Sequence, residues 1–373
     1  MNSSSPLSAI LSSFACPGTP IRFEQCHIGH IHESHTVTLD DHGVERQVFA
    51  QKLNERVFPN IPFLMENIQR VCEHAGATLR AAGAPDSERR ALSLIPTRDG
   101  KTWIRDEDGA AWRVYRFIAD TRCYNKVETV EQARKAAHAF GSFLKMLEGL
   151  PAEQLHETIP NFHHTPSRVT ALETAIATNA AGRANRVSAE IEFALSRRSL
   201  SRSLLDLYES GQAPMRVAHN DTKLNNVLFD RATDEPVCVV DLDTVMPGLS
   251  FYDFGDLVRF ACNSTDEDDP QTDRVEFRAD VYEALVQGWL ESAGDVFTPA
   301  EIEHLLTAGK VLTYECGIRF LADHLNGDIY FRTTRPDQNL DRCRTQFRMV
   351  QHMETRAAEL EDIRLRALNA WRS

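Results

Sequence analysis

"RVAHNDTKLNNVLFDRATDEPVCVVDLDTVMPG", residues 216–248, is a short β-rich island in a chain whose pattern is otherwise helical from residue 127 onward. Within it His219, Asp221 and Asn226 stand at His-x-Asp-x-x-x-x-Asn spacing, that of the catalytic loop used for phosphoryl transfer. The chemistry needs that spacing. A carboxylate must accept the attacking hydroxyl's proton, and an amide oxygen further along the loop must reach back to a magnesium ion on the phosphates. A second metal carboxylate should follow a short hairpin. Residues 227–241, "VLFDRATDEPVCVVD", supply an apolar strand, a polar turn and a second apolar run ending at Asp241. Asp221 is therefore expected to be the base, with Asn226 and Asp241 as metal ligands. Asp243 is a second metal candidate, because period-2 alternation would place it on Asp241's strand face.

Residues 251–256, "FYDFGD", contain the Asp-Phe-Gly letters that mark a metal aspartate in protein kinases. Here they come after "TVMPG", where the chain is entering a helix. Asp253 and Asp256 are instead expected to brace the catalytic loop by accepting backbone N–H groups. An isolated Asp or Asn on a loop is ordinarily turn chemistry. The conjunction of His219, Asp221, Asn226 and Asp241 across one hairpin is much harder to explain that way.

Lys223 can neutralise charge developing on the transferred group; its plainer reading is a solvated loop lysine. Lys52, in "VFAQKLN", resembles the strand lysine that holds ATP phosphates in protein kinases, with Glu66 of the following helix as its partner. The stretch "HIGHIHESH" holds His27, His30, His32 and His35, but strand alternation splits them between two faces, and no zinc-like partner set follows. A phosphate-covering hairpin turning at Gly29, with His30 facing the nucleotide, is the better expectation.

Around this island the chain divides. Residues 20–53 read as β-hairpins turning at "DDHG", and residues 60–79 as a helix capped by Asn60 with Pro62 in its first turn. "ALSLIPT" and "TWIRDEDGAAWRVYRFIA" read as further strands, the latter turning at "DEDG". Helical periodicity covers 188–210 and nearly everything from Pro299 onward. The acidic stretch "STDEDDPQTD", 264–273, reads as a solvated turn. The expected fold is α+β and bilobal, protein-kinase-like: a small β-rich N-lobe over 1–120 and a larger, mostly helical C-lobe over 121–373. The C-lobe is expected to carry the catalytic loop, the metal site and the substrate helices.

Composition narrows the partners. The chain has 373 residues, 42% hydrophobic and 25% charged, ordinary for a globular protein. A net charge of −13 without a block of Lys/Arg argues against nucleic acid. No apolar run is long enough to span a bilayer, and "MNSSSPLSAILSSFACPG" lacks a basic n-region. Eight cysteines without CxxC or regular spacing suggest reduced, mostly buried thiols. A cytoplasmic monomer acting on a small molecule is expected.

With "HNDTKLNN", "VVDLDTVMPG" and "FYDFGD" in place, the chain resembles the aminoglycoside phosphotransferase/choline kinase superfamily. Within it, the chain is similar to the bacterial N-acetylhexosamine 1-kinases through the colinear blocks "GHIHESH", "WRVYRFIADTRCYN", "AFGSFLKML", "QLHETIPNFHHTP", "ECGIRFLADHLNGDIYF" and "NLDRCRTQ". The resemblance implies an enzyme that uses ATP and Mg²⁺ to phosphorylate the anomeric hydroxyl of N-acetylglucosamine or N-acetylgalactosamine. It also implies sugar contacts from Arg319, Tyr330 and Phe260. An arginine's fixed donors can read several sugar hydroxyls. The alternative is a kinase of the same superfamily for another alcohol, of aminoglycoside, choline or homoserine type, since the catalytic residues would be identical. A non-catalytic nucleotide-binding protein is disfavoured because every catalytic position is intact.

Overall fold

The computed structural model describes residues 6–26 and 31–373. Its fold is α+β, with a small antiparallel sheet in one compact unit and a larger helical second unit. The first unit comprises 1–122, 146–160 and 228–246; the second comprises 123–145, 161–227 and 247–373. After residue 122 the chain returns to the first unit twice. Asp241 accordingly belongs to the first unit, whereas sequence pattern grouped it with 121–373. Periodicity along the chain marks where one element type gives way to another, and it cannot register a segment that rejoins an earlier unit.

In the first unit, strands β1 (Thr19–Cys26), β2 (Glu33–Asp41), β3 (Val44–Lys52), β4 (Ile104–Arg105) and β5 (Ala111–Arg116) form one sheet in the order β1-β2-β3-β5-β4. The β2–β3 turn falls at "DDHG". His42 and Gly43 both adopt positive φ (54° and 87°), which suits the twist of a two-residue hairpin, and Gly43 N donates to Asp40 Oδ1 at 2.7 Å. The "DEDG" turn is organised by Asp106, which accepts from Asp108 N, Ala110 N and Trp112 Nε1. Alternate residues Val37, Leu39, Val48, Ala50 and Val114 point to one face, where Leu7, Ile10, Leu11 and Phe14 cover them. Three of those four lie on a helix, Pro6–Ser12, that the sequence pattern did not announce.

The expected helix runs Ile61–Ala81. Asn60 Oδ1 accepts from Phe63 N at 3.1 Å, and Pro62 lies in the first turn. Such a cap contributes about 1 kcal/mol. "ALSLIPT" does not form a strand: Leu94 and Thr97 make only isolated bridges, to Tyr115 and Phe14. Pro96 between them has no N–H for a ladder, so pairing cannot propagate.

The second unit is built around the helix Leu305–Asn326, which is buried on most of its faces. Helices Thr165–Thr178, Ser250–Ala261 and Gln338–Thr355 pack against it. Two close approaches depend on glycine. A Cβ on Gly255 would stand 2.5 Å from the Ala308 carbonyl oxygen, and one on Gly317 would stand 2.6 Å from the Phe347 ring. Cys238, Cys262 and Cys343 are buried and the other five cysteines are partly buried. Among the described residues no helix is long and apolar enough to cross a membrane.

Candidate active site

Strand Arg216–Ala218 delivers the chain to His219, which is fully buried with its ring edge-on to Phe140 and Phe143 at centroid distances of 5.4 and 5.7 Å. The loop that follows is held from outside by carboxylates. Asp253 accepts from His219 N at 2.9 Å and Asn220 N at 2.6 Å, and Asp256 accepts from Thr222 N at 3.0 Å. The Thr222 hydroxyl donates to the Asp253 carbonyl at 2.6 Å. The Asp-Phe-Gly aspartate is therefore a brace, as its position after "TVMPG" implies. Burial pushes the Asp253 carboxyl upward against the pull of His219 and the two N–H groups.

His163 adds a third brace. Its Nδ1 lies 2.9 Å from Glu315 Oε1 and its Nε2 lies 2.9 Å from the Asn220 carbonyl. Both neighbours are acceptors, so both ring nitrogens donate and the ring is an imidazolium. Burial pulls the His163 pKa down, but the Glu315 charge and hydrogen bond, the Asn220 carbonyl and the Asp256 charge together outweigh it, leaving the pKa above the ordinary histidine value.

The braced loop presents Asp221, Lys223 and Asn226. Lys223 Nζ stands 2.8 Å from Asp221 Oδ1. Asn226 Nδ2 donates to the Asp221 carbonyl at 2.8 Å and to Asp221 Oδ2 at 3.2 Å. Burial pushes the Asp221 carboxyl up, but the Lys223 charge and hydrogen bond win, and it lies below the ordinary carboxylate range. The Asp221 charge in turn raises Lys223. Because the Asn226 amide nitrogen is committed to Asp221, its oxygen is the atom left for a cation. An amide oxygen with carboxylates is a hard-oxygen donor set of the kind magnesium takes.

In the first unit Asp241 is exposed at the end of the hairpin, at φ 62°. The next residues, Leu242–Thr244, form a 3₁₀ turn, which breaks the expected alternation. Asp243 is consequently buried, and both of its carboxylate oxygens are occupied. Arg113 Nη1 and Nη2 reach Oδ1 and Oδ2 at 2.5 and 2.7 Å, and His32 Nε2 donates to Oδ2 at 3.2 Å. The tautomer follows from Asn54 N, which donates to His32 Nδ1. Asp243 is thus not an open metal ligand: it anchors a buried ion pair, and stripping one partner from such a pair costs about 3–5 kcal/mol.

The remaining candidates separate. Lys52 lies on β3, and Glu66 is not its partner: Glu66 pairs with His156 at 2.8 Å and Arg70 at 3.4 Å. The buried cation of this unit is Arg113 on β5. A charged residue between Trp112 and Val114, inside a continuous apolar run, is the signal that could have exposed it. His27, Gly29 and His30 lie outside the described residues.

In the second unit, the Arg319 guanidinium lies 5.9 and 5.5 Å from the ring centroids of Phe162 and Phe331. Tyr330 is 71% exposed beside Phe331. Phe260 instead lines a cleft of about 430 Å³ together with Lys223, Arg259, Glu267 and Gln346. Arg319 and Tyr330 are not among that cleft's lining residues. The acidic segment expected to be a solvated turn forms part of the cleft wall. It is pinned by Lys126 to Asp266, by Arg259 to Glu267 and by Gln338 to Asp268.

The sequence profile of the phosphotransferase enzyme family matches residues 69–302 of this chain. The chain belongs to that family. This phosphotransferase also shares its fold with solved structures of small-molecule kinases. One is an aminoglycoside phosphotransferase from Alicyclobacillus acidocaldarius subsp. acidocaldarius DSM 446, with a TM-score of 0.61 and 13% identity over 97% of this chain and 96% of that one. A choline kinase from Cryptosporidium parvum Iowa II matches with a TM-score of 0.53 and 12% identity over 94% and 92% of the two chains. A spectinomycin phosphotransferase, solved in complex with ADP and spectinomycin, matches with a TM-score of 0.50 and 14% identity over 97% of each chain. At these identities the likeness is one of fold. The acceptor of the phosphotransferase is a matter for the residues described above.

Proposed function

We propose that this enzyme uses ATP and magnesium to phosphorylate the anomeric hydroxyl of N-acetylhexosamines, N-acetylglucosamine or N-acetylgalactosamine. The observation carrying the acceptor assignment is Arg319 near the rings of Phe162 and Phe331, the latter packed edge-on with Tyr330; Arg319 and Tyr330 are the positions the sequence resemblance implies for sugar contacts. Charge on the cleft supports a neutral acceptor. Its lining carries three carboxylates, Asp266, Glu267 and Asp269, against five cations, Lys126, Lys223, Arg259, Arg274 and Arg278, with Asp266 paired to Lys126 and Glu267 to Arg259. A choline or aminoglycoside acceptor would call for uncompensated carboxylates or an aromatic cage.

In this reading Asp221 orients the acceptor hydroxyl and takes its proton, while Lys223 offsets charge on the transferred phosphoryl group. Asn226 and Asp241 would hold magnesium, which when bound neutralises charge on the nucleotide phosphates. Nucleotide use accords with the ADP bound by the related spectinomycin phosphotransferase. Lys52, and Gly29 and His30 outside the described residues, are assigned to the nucleotide side. The enzyme is proposed to act as a cytoplasmic monomer without nucleic acid or membrane partners.

The test is ADP release across N-acetylglucosamine, N-acetylgalactosamine, glucose, choline and kanamycin, followed by Arg319→Lys. The N-acetylhexosamines should give the highest kcat/KM. Arg319→Lys should raise the sugar KM by roughly tenfold or more, because a point charge cannot replace two parallel donors, with the ATP KM within about twofold. Preferred turnover of choline or kanamycin would overturn the assignment.

A further inference from the structure

The cleft beside the catalytic loop is lined by two residues with side-chain hydrogen-bond acceptors that nothing among the described residues satisfies. Gln346, on the helix Gln338–Thr355, lines it with only 1% of its surface exposed, and its Oε1 has no hydrogen-bond partner. The orientation of that amide follows from its surroundings. Nε2 faces Glu267 Oε1 at 3.4 Å, and turning the oxygen towards the carboxylate would set two acceptors against each other. A buried carbonyl without a donor is destabilising, and this one belongs to a residue that lines the cleft.

Glu267 supplies the second acceptor. Arg259 Nη1 donates to its Oε1 at 2.8 Å, so the carboxylate is held by one oxygen, while among the described residues no hydrogen bond or ion pair engages Oε2. Arg259 is itself nearly buried, and its Nε donates to Asp256 Oδ1 at 2.8 Å. Asp256 is the carboxylate that holds Thr222 N in the catalytic loop. A continuous series of contacts therefore runs from the residue after Asp221 through Asp256 and Arg259 to the wall of the cleft. Lys223, which contacts Asp221, lines the same cleft.

We infer that Glu267 and Gln346 are specificity-determining residues for the acceptor, reading hydroxyl or amide N–H donors on a neutral polyol. Both atoms accept and neither donates, so a ligand that meets them must be rich in donors. A quaternary ammonium has none. A sugar can give one hydroxyl to Glu267 Oε2, and a second hydroxyl or an acetamido N–H to Gln346 Oε1. This inference deepens the proposed acceptor class and rests on that reading.

The experiment uses the full chain and the acceptor with the highest kcat/KM in the panel above. Gln346→Leu removes the stranded oxygen while keeping the side-chain bulk. Its melting temperature should match or exceed the parent's, yet its acceptor KM should rise by roughly tenfold with the ATP KM unchanged. Glu267→Gln should raise the same KM. One monodeoxy analogue of the acceptor should be poorer with the parent enzyme but lose nothing further with Gln346→Leu, the mark of a direct pair. An unchanged acceptor KM in both variants overturns the inference, as does a defect that appears only in ATP KM. If choline proves the best acceptor, the N-acetylhexosamine reading falls. An acceptor KM that still rises in these variants would then sustain the specificity role, without the polyol.

Discussion

At the scale of single residues, the proposed chemistry rests on Asp221 and Lys223. An aspartate whose pKa is held low by an ammonium 2.8 Å away is ionised at neutral pH, so it can accept a hydroxyl proton without first losing its own. The same pair keeps Lys223 charged, the state in which it can offset a developing negative charge. Asp221→Asn preserves size and the contact with Asn226 but removes the proton acceptor. Steady-state kinetics should show kcat reduced by about 10²–10⁴-fold with the ATP KM little changed. A variant with near-parental turnover would exclude Asp221 as the base.

At the scale of elements, the helix Ser250–Ala261 acts as a clamp. Its Asp253 and Asp256 reach the backbone N–H groups of three loop residues, His219, Asn220 and Thr222, and so set the loop's conformation. Asn220 takes φ 65°, a left-handed conformation that asparagine tolerates better than most residues. Two substitutions separate this clamp from metal binding. Asp241→Asn should raise the magnesium concentration needed for half-maximal activity, because it alters a proposed ligand. Asp253→Asn should lower the melting temperature and kcat together while the magnesium titration keeps its midpoint. Reversal of the two phenotypes would make Asp253 the metal carboxylate.

Across the molecule, stability should carry a histidine's signature. His163 has a raised pKa in the folded protein, set by Glu315, whose own pKa is correspondingly lowered. A group bound more tightly to its proton when folded contributes fully below its unfolded pKa, about 6.5, and that contribution is lost as pH rises through the folded value. Melting temperature should therefore fall on the alkaline side of about pH 6.5, and His163→Gln should flatten that slope. Because His163 also holds the Asn220 carbonyl, the parent's activity should decline over the same range.

Sequence alone determined whatever rests on neighbours along the chain. The Asn60 cap, the "DDHG" and "DEDG" turns and the hairpin between Val227–Asp230 and Pro236–Val239 are local arrangements of backbone and short polar side chains, each carrying its own signature. The spacing of His219, Asp221 and Asn226 is local for the same reason. It belongs to one loop whose geometry the chemistry dictates. Tertiary structure decided which partner each charge receives. Asp243 looked like a metal ligand because alternation continued Asp241's face, but a 3₁₀ turn intervenes and Arg113, 130 positions away, takes both oxygens. Glu66 faces His156 and Arg70, not Lys52. His163 meets Glu315 from 152 positions away, and the acidic segment at 264–273, open to solvent with none of its residues buried, is also tied through Asp266 to Lys126. Such pairings are set by how helices and strands pack against one another. Burial makes an unpaired charge costly enough that the packed fold must find it a partner, and no pattern of residues along the chain records which one.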